Sequence, residues 1–234
     1  MPYIIYDLEF TVSRNTRYSS EIIDIGAVKV SQDENTGLTV TDTFHTYVRP
    51  SNKSVLSTDT VQFTGITQKD IDAAPLFPAA LSQFINWMGT EPYYMCSWGP
   101  DDRNKLISHC RTHQLDVAWI TNHNDLQQQW SRAMHTEGKF RQLGLAQALE
   151  LCGIEFDGTQ HRALDDAINT AKVFIHQFHQ FKLESNCAAD DEGVTSKVVY
   201  SSAVDDEEQE SPFGNLANLF KKKNKYYSGS ESAS

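Results

Sequence analysis

Residues 3–10 read YIIYDLEF, an apolar run that carries two carboxylates separated by one residue. Ile, Tyr and Phe in this density favour a buried, pleated strand. Side chains alternate along a strand, so Asp7 and Glu9 project from one face, about 6.6 Å apart. Two carboxylates on a central strand are costly unless they are solvated or hold a cation. A polar strand end facing water is the plainer alternative.

Outward from this segment, residues 22–31 (IIDIGAVKVS) read as a second buried strand, and residues 39–49 (TVTDTFHTYVR) as a third that stops at Pro50. The turn-rich DENTG between the last two implies an antiparallel opening. Helical patterning follows over 54–62, 67–74 and 77–89, interrupted by Pro75 and Pro78. A short strand is expected at 92–98, a helix over 101–113, and a strand at VAWIT (117–121). Helices over 125–135 and 142–151 come next. Residues 163–182 carry Ala167, Ala171, Phe174, Phe178 and Phe181 at steps of three and four, the spacing of an amphipathic helix. This order predicts an α/β fold with a mixed sheet between helices.

The chain has 234 residues, with 39% hydrophobic and 11% aromatic, as in soluble globular proteins. No run approaches the roughly 20 apolar residues of a membrane span. The N-terminus lacks a basic n-region and cleavage site, so no signal peptide is expected. Cys96, Cys110, Cys152 and Cys187 form no C-x-x-C pair, which points to reduced thiols and a cytoplasmic setting rather than a zinc site. A net charge of −11 argues against a broad basic surface that coats nucleic acid. It leaves room for an enzyme that takes one strand end, because bound cations supply local positive charge.

Two further segments bear acids. SWGPDDRNKL puts Asp101 and Asp102 at a helix start, and HRALDD puts His161, Ala163, Asp165 and Asp166 at another. Acids in a first helical turn meet the helix dipole favourably, which accounts for them structurally. That reading leaves His161 and the strand pair Asp7/Glu9 unexplained. Small Ala163 would let the helix start approach another backbone closely.

In order and spacing, these segments resemble the DEDD superfamily of 3′–5′ exonucleases, His subclass. D-x-E at Asp7 and Glu9 matches the first motif, an Asp opening a helix about 90 residues on the second, and H-x-A-x-x-D at His161, Ala163 and Asp166 the third. EIIDIGAVKV and TGITQKDIDAAPLF match intervening family segments, and DLEFT, SEIIDIGAV and SWGPDD are nearest the ERI-like exoribonuclease branch. The resemblance spans about residues 3 to 180. It implies a ribonuclease H-like fold, with a mixed five-stranded sheet flanked by helices.

The resemblance also implies a mechanism. Two divalent cations, Mg²⁺ or Mn²⁺, would sit about 3.5–4 Å apart on hard oxygen ligands. Asp7 would bridge them, Glu9 and Asp166 would hold the nucleophile-side metal, and Asp102 would assist from the outer shell. Alignment of W-G-x-x-D favours Asp102 over Asp101 as the second-motif acid. His161 would be the general base. Glu9, Phe10, Thr11 and His161 would meet the terminal nucleotide, with Thr11 near the 3′-OH. Single-stranded RNA is the first substrate expected and single-stranded DNA the alternative. A non-catalytic regulator of the same fold is the rival of another class, although all five acid and His positions are occupied.

Several other residues are candidates on sequence alone. Arg14, Arg17, Arg103, Lys105 and Arg162 flank the motifs as possible phosphate contacts, and Trp98 is either a base-stacking or a buried residue. The remaining histidines show no metal-ligand spacing. Residues 1–183 form the expected exonuclease domain and 184–234 an acidic tail with a charge of −5. Within the tail, residues 211–227 carry an apolar island followed by lysines. GNLANLF resembles the short peptides that dock on the bacterial sliding clamp, through Asn215–Phe220, with Asn215 in place of the usual Gln. An amphipathic helix folding back on the domain is the alternative.

Overall fold

Ile4, Tyr6 and Leu8 alternate with Ile5, Asp7 and Glu9 along β1 (Tyr3–Phe10), so this one strand feeds both faces of the sheet. The computed structural model describes residues 1–12, 20–33, 37–52, 54–135 and 140–191. The tail segment 211–227, Arg14 and Arg17 lie outside those residues. β1 pairs antiparallel with β2 (Ile22–Asp33), and β2 antiparallel with β3 (Gly37–Tyr47). On its other side β1 runs parallel to β4 (Tyr94–Ser97), which pairs in parallel with β5 (His123–Asp125). The order β3-β2-β1-β4-β5 is the mixed five-stranded sheet expected from the sequence, with the acid-bearing strand at its centre.

Helices cover both faces. Between β3 and β4 lie α1 (Thr58–Thr64), α2 (Gln68–Asp72) and α3 (Phe77–Met88). α4 (Asp101–Thr112) connects β4 to β5, and α5 (Leu126–Met134), α6 (Leu145–Cys152) and α7 (Ala163–His176) follow. On one face Ile4, Tyr6 and Leu8 pack with Phe77, Leu81 and Phe84 of α3 and Leu106 of α4. On the other, Ile5, Val28 and Val30 meet Leu149 of α6 and Ala167, Ala171 and Phe174 of α7. The alanine stripe of α7 keeps that helix close to the sheet. Among the described residues no helix is long and apolar enough to cross a membrane.

Three elements depart from the sequence expectation. Residues 117–121 form a turn rather than a strand. Asp116 accepts the Ala118 N–H through its side chain at 3.0 Å, and its carbonyl takes the Trp119 indole N–H at 3.0 Å. This local bonding competes with a ladder, and the fifth strand falls at 123–125 instead. α7 ends at His176, short of 182. Phe178 lies in a 3₁₀ turn (Phe178–Gln180), and it and Phe181 still pack on Phe174, with ring centroids 5.2 and 5.5 Å away.

The third departure concerns the segment after residue 183, placed in the tail by its composition. Asn186 accepts the His123 N–H at 3.0 Å and returns its amide N–H to the His123 carbonyl at 2.8 Å. Ala188 is buried and donates to the Ile120 carbonyl, and a 3₁₀ turn spans Ala188–Asp191. Residues 184–191 thereby cover the outer edge of β5, an edge that would otherwise offer unpaired backbone groups.

Gly26 of β2 sets the approach of α7, because a methyl group there would run into the backbone of Ala163 and Leu164. Gly26→Ala is expected to cost about 1–3 kcal/mol or more, the scale of overpacking. Urea unfolding measures it; an unchanged midpoint would mean that α7 can slide away without penalty.

Candidate active site

The antiparallel register places side chains in rows across the α7-facing side of the sheet. Asp7 lies opposite Gly26, which lies opposite His45; Glu9 lies opposite Asp24, which lies opposite Tyr47. The gap over Gly26 admits the start of α7. There the Ala163 N–H points to Asp24 Oδ2 at 3.4 Å, and the Arg162 guanidinium donates to the Tyr47 hydroxyl at 2.9 Å.

The turn before α7 is set by its first-turn acids. His161 has φ = +64°, a left-handed conformation that costs a side-chain-bearing residue free energy. Its N–H donates to Asp166 Oδ2 at 2.7 Å. Asp165 accepts the Thr159 N–H at 2.8 Å and thus serves the loop. The His161 ring lies over Phe63 of α1, with centroids 4.2 Å apart and planes tilted by 31°.

β4 pairs with β1 only as far as Ile5, so the Leu8 N–H finds no strand partner on that side. Asp102, in the first turn of α4, accepts it at 3.1 Å. Asp102 is buried and Asp101 exposed. Glu9, His161 and Asp166 each offer a ligand atom, and these atoms lie within 4.8 Å of one another. Asp7 and Asp102 fall outside that triplet but act on it through their charge.

Burial and mutual repulsion perturb the whole group. Burial raises Asp7 well above the carboxylate range, with Asp102, Glu9 and Asp166 adding to it. Burial, then Asp166, Asp24 and Asp102, push Glu9 up to about 8, against the pull of Arg162. Burial pushes Asp102 up to about 8, with the Leu8 N–H opposing. Burial raises Asp166 to about 6, while the His161 and Arg162 N–H groups draw it down. Desolvation lowers His161, leaving it neutral and able to accept a proton at pH 7. Carboxylates in this state, short of cations, form a donor set that suits a hard divalent ion.

The candidate substrate-side residues fare differently. Phe10 is half-buried at the strand end, with Lys105 Nζ 5.9 Å from its ring centroid. The Thr11 hydroxyl oxygen accepts the Glu21 N–H at 2.9 Å, so any substrate contact would use its O–H as donor. Arg103 is paired with Asp191 at 2.6 Å, and Lys105 Nζ donates to Ser20 at 2.7 Å. Trp98 donates to the Leu143 carbonyl and packs on Trp130, half-buried against the core.

Sequence reading passed over Asp24, His45 and Phe63. Asp24 is 1% exposed and pairs with His45 Nε2 at 2.8 Å, a bond that raises the imidazole pKa despite its desolvation. The available signal was an acid inside IIDIGAV, two residues before the glycine. Nothing in the spacing of His45 or Phe63 announces a contact that only the packing of β3 and α1 creates.

A mouse protein named 3′-5′ exoribonuclease 1 is 31% identical over 185 residues, which cover 73% of this chain and 51% of that one. A probable 3′-5′ exonuclease KapD of Bacillus subtilis (strain 168) is 30% identical over 73% of this chain and 82% of its own length. The chain thus spans about half the length of the mouse relative. The crystallographic nuclease domain of 3′hExo, described as a DEDDh family member bound to rAMP, superposes with a TM-score of 0.68. It has 29% identity and covers 79% of this chain and 96% of that one. The exonuclease family model RNase_T matches residues 4–174, and the chain belongs to that family.

Proposed function

We propose that this chain is a divalent-metal-dependent 3′–5′ exonuclease that shortens single-stranded RNA from its 3′ end and releases nucleoside 5′-monophosphates. The observation that carries the reading is the convergence of Glu9, Asp166 and His161 beside Asp7 and Asp102, all perturbed by burial. The names of the exoribonuclease relatives favour RNA, and single-stranded DNA remains the alternative substrate.

Asp7, Glu9 and Asp166 would hold Mg²⁺ or Mn²⁺, and Asp102 would assist from the outer shell. The cations supply neutralisation of phosphate charge and Lewis-acid polarisation when bound. His161 takes a proton from water as the water oxygen bonds to phosphorus. The P–O3′ bond breaks, and the departing 3′-oxygen gains a proton from solvent. Asp166 fixes the His161 backbone, so it acts both as ligand and as orienter of the base. Phe10 and Thr11 would border the terminal nucleoside. A docking role for Asn215–Phe220 on a sliding clamp rests on sequence alone and would be lost from a chain ending at Asp191.

With 5′-labelled RNA and DNA oligonucleotides, a metal-dependent ladder shortening from the 3′ end is expected. His161→Ala should lose about 10²–10⁴-fold in rate, the range for a general base. Asp7→Ala should lose activity altogether. Equal rates in either variant would overturn the assignment, and cleavage of DNA alone would replace the substrate.

The two neighbouring acids separate cleanly. Asp102→Asn is expected to lose roughly 10–100-fold, as outer-shell partners of metal sites do. Asp101→Asn, altering an exposed group, should stay within about twofold of the parent. The reverse pattern in steady-state rates would reassign the second motif.

Metal and pH act on stability together. A carboxyl whose folded pKa is raised weakens the fold as pH climbs from its unfolded to its folded value. Below about pH 6.5 the lowered pKa values of His109 and His123 work the other way, because the unfolded chain then takes up more protons. Between roughly pH 6.5 and 8.5 the metal-free melting temperature should therefore fall, and saturating Mg²⁺ or Mn²⁺ should largely remove the fall. The raised His45 contributes in the same direction, and its share should persist with metal bound. A metal-insensitive melt would count against cation binding by these acids.

A further inference from the structure

Among the described residues, Arg162 stands beside the buried acids of the site without a carboxylate partner. Its neighbours in sequence are His161 and Ala163, and its charge reaches Glu9, Asp24's partner His45, and Asp70 of α2. Among the described residues, however, no acid lies within ion-pair distance of its guanidinium. Its hydrogen bond goes to the neutral hydroxyl of Tyr47, at 2.9 Å. The other two flanking cations within the described residues are engaged, Arg103 by Asp191 and Lys105 by Ser20.

A guanidinium carries five N–H donors in a planar fork that matches phosphate oxygens. Tyr47 orients this fork through one donor and leaves its charge intact, whereas a carboxylate in the same place would compete with an incoming anion. Tyr47 is fixed in turn, by its row position opposite Asp24 and by the edge-on His45 ring 4.8 Å away. The side chain is half-buried at the start of α7, one residue from His161.

From this arrangement we propose that Arg162, pre-oriented by Tyr47, binds a backbone phosphate of the nucleic-acid substrate. The proposal rests on the exonuclease reading, but binding can be read without cleavage. A phosphate contact carries no information about the sugar, so RNA and DNA of one length should feel its loss equally.

The test uses the full chain and a 5′-fluorescent single-stranded RNA whose 3′ end is capped by phosphorothioates, followed by anisotropy between roughly 50 and 200 mM salt. Arg162→Ala should weaken binding by about tenfold or more at low salt, the scale of a lost charge-assisted hydrogen bond. The slope of log K against log salt should shrink by about 0.7, one phosphate's worth on a single strand. Arg162→Lys should keep the slope and bind less tightly. Arg111→Ala, which removes an exposed cation at the far end of α4, should change neither.

A residue that only tempers the acids would behave differently. Its loss would shift the Mg²⁺ concentration needed for the thermal stabilisation while the salt slope stayed put, and that result overturns the proposal. Should Arg162→Ala fail to melt cooperatively, Arg162→Gln carries the same two expectations. Wild-type binding to the capped RNA, with no shortening of the same RNA left uncapped in Mg²⁺ or Mn²⁺, would remove the exonuclease reading and leave the Arg162 comparison fully readable.

Discussion

The start of α7 can reach the sheet because β2 has no side chain at Gly26. The half of the site that comes from the start of α7 depends on that contact. It brings Ala163 and Leu164 down onto the strand, carries His161 and Asp166 to Glu9, and sets Arg162 beside Tyr47. Asp24, in the same row as Glu9, receives the descending Ala163 amide. The same strand thus supplies both the space for the helix and an acceptor for its first amide, at alternate positions of one face.

That closeness has an electrostatic consequence. Asp7 and Glu9 come from β1, Asp102 from α4, Asp166 from α7, and Asp24 from β2, so each carboxylate enters a region already negative. The raised pKa values of Asp7, Glu9, Asp102 and Asp166 follow from burial first, with repulsion among neighbouring acids adding to it. Two local arrangements limit the cost: backbone N–H groups at Asp102 and Asp166, and the imidazole of His45 at Asp24. The remaining deficit of positive charge is what a divalent cation would fill.

Much of this was legible in the chain. The alternation in YIIYDLEF gave the central strand and the shared face of its two acids, because a period of two is fixed by strand geometry. Small Ala163 gave the close approach of the start of α7, although not the glycine beneath it. What escaped was decided by tertiary contacts. VAWIT has strand composition, yet Asp116 turned it, and the strand that formed is the polar triplet His123–Asp125, sheltered by Asn186. His45 looked like one histidine among eight until β3 placed it against a buried acid two residues before Gly26. The choice of Asp166 over Asp165 came from the H-x-A-x-x-D spacing; the direction of each carboxylate, one to the His161 N–H and the other to the Thr159 N–H, did not.

The segment that covers β5 bears on where this domain can be cut. Asn186 mimics a strand residue, giving and taking one hydrogen bond with His123, and Ala188 closes over Ile120. A chain shortened at Leu183 would keep every acid of the site yet bare a sheet edge beside His123 and open the cover above Ile120. Such an edge recruits other chains. A minimal domain drawn by composition would therefore tend to self-associate, whereas one drawn to Asp191 retains its own seal.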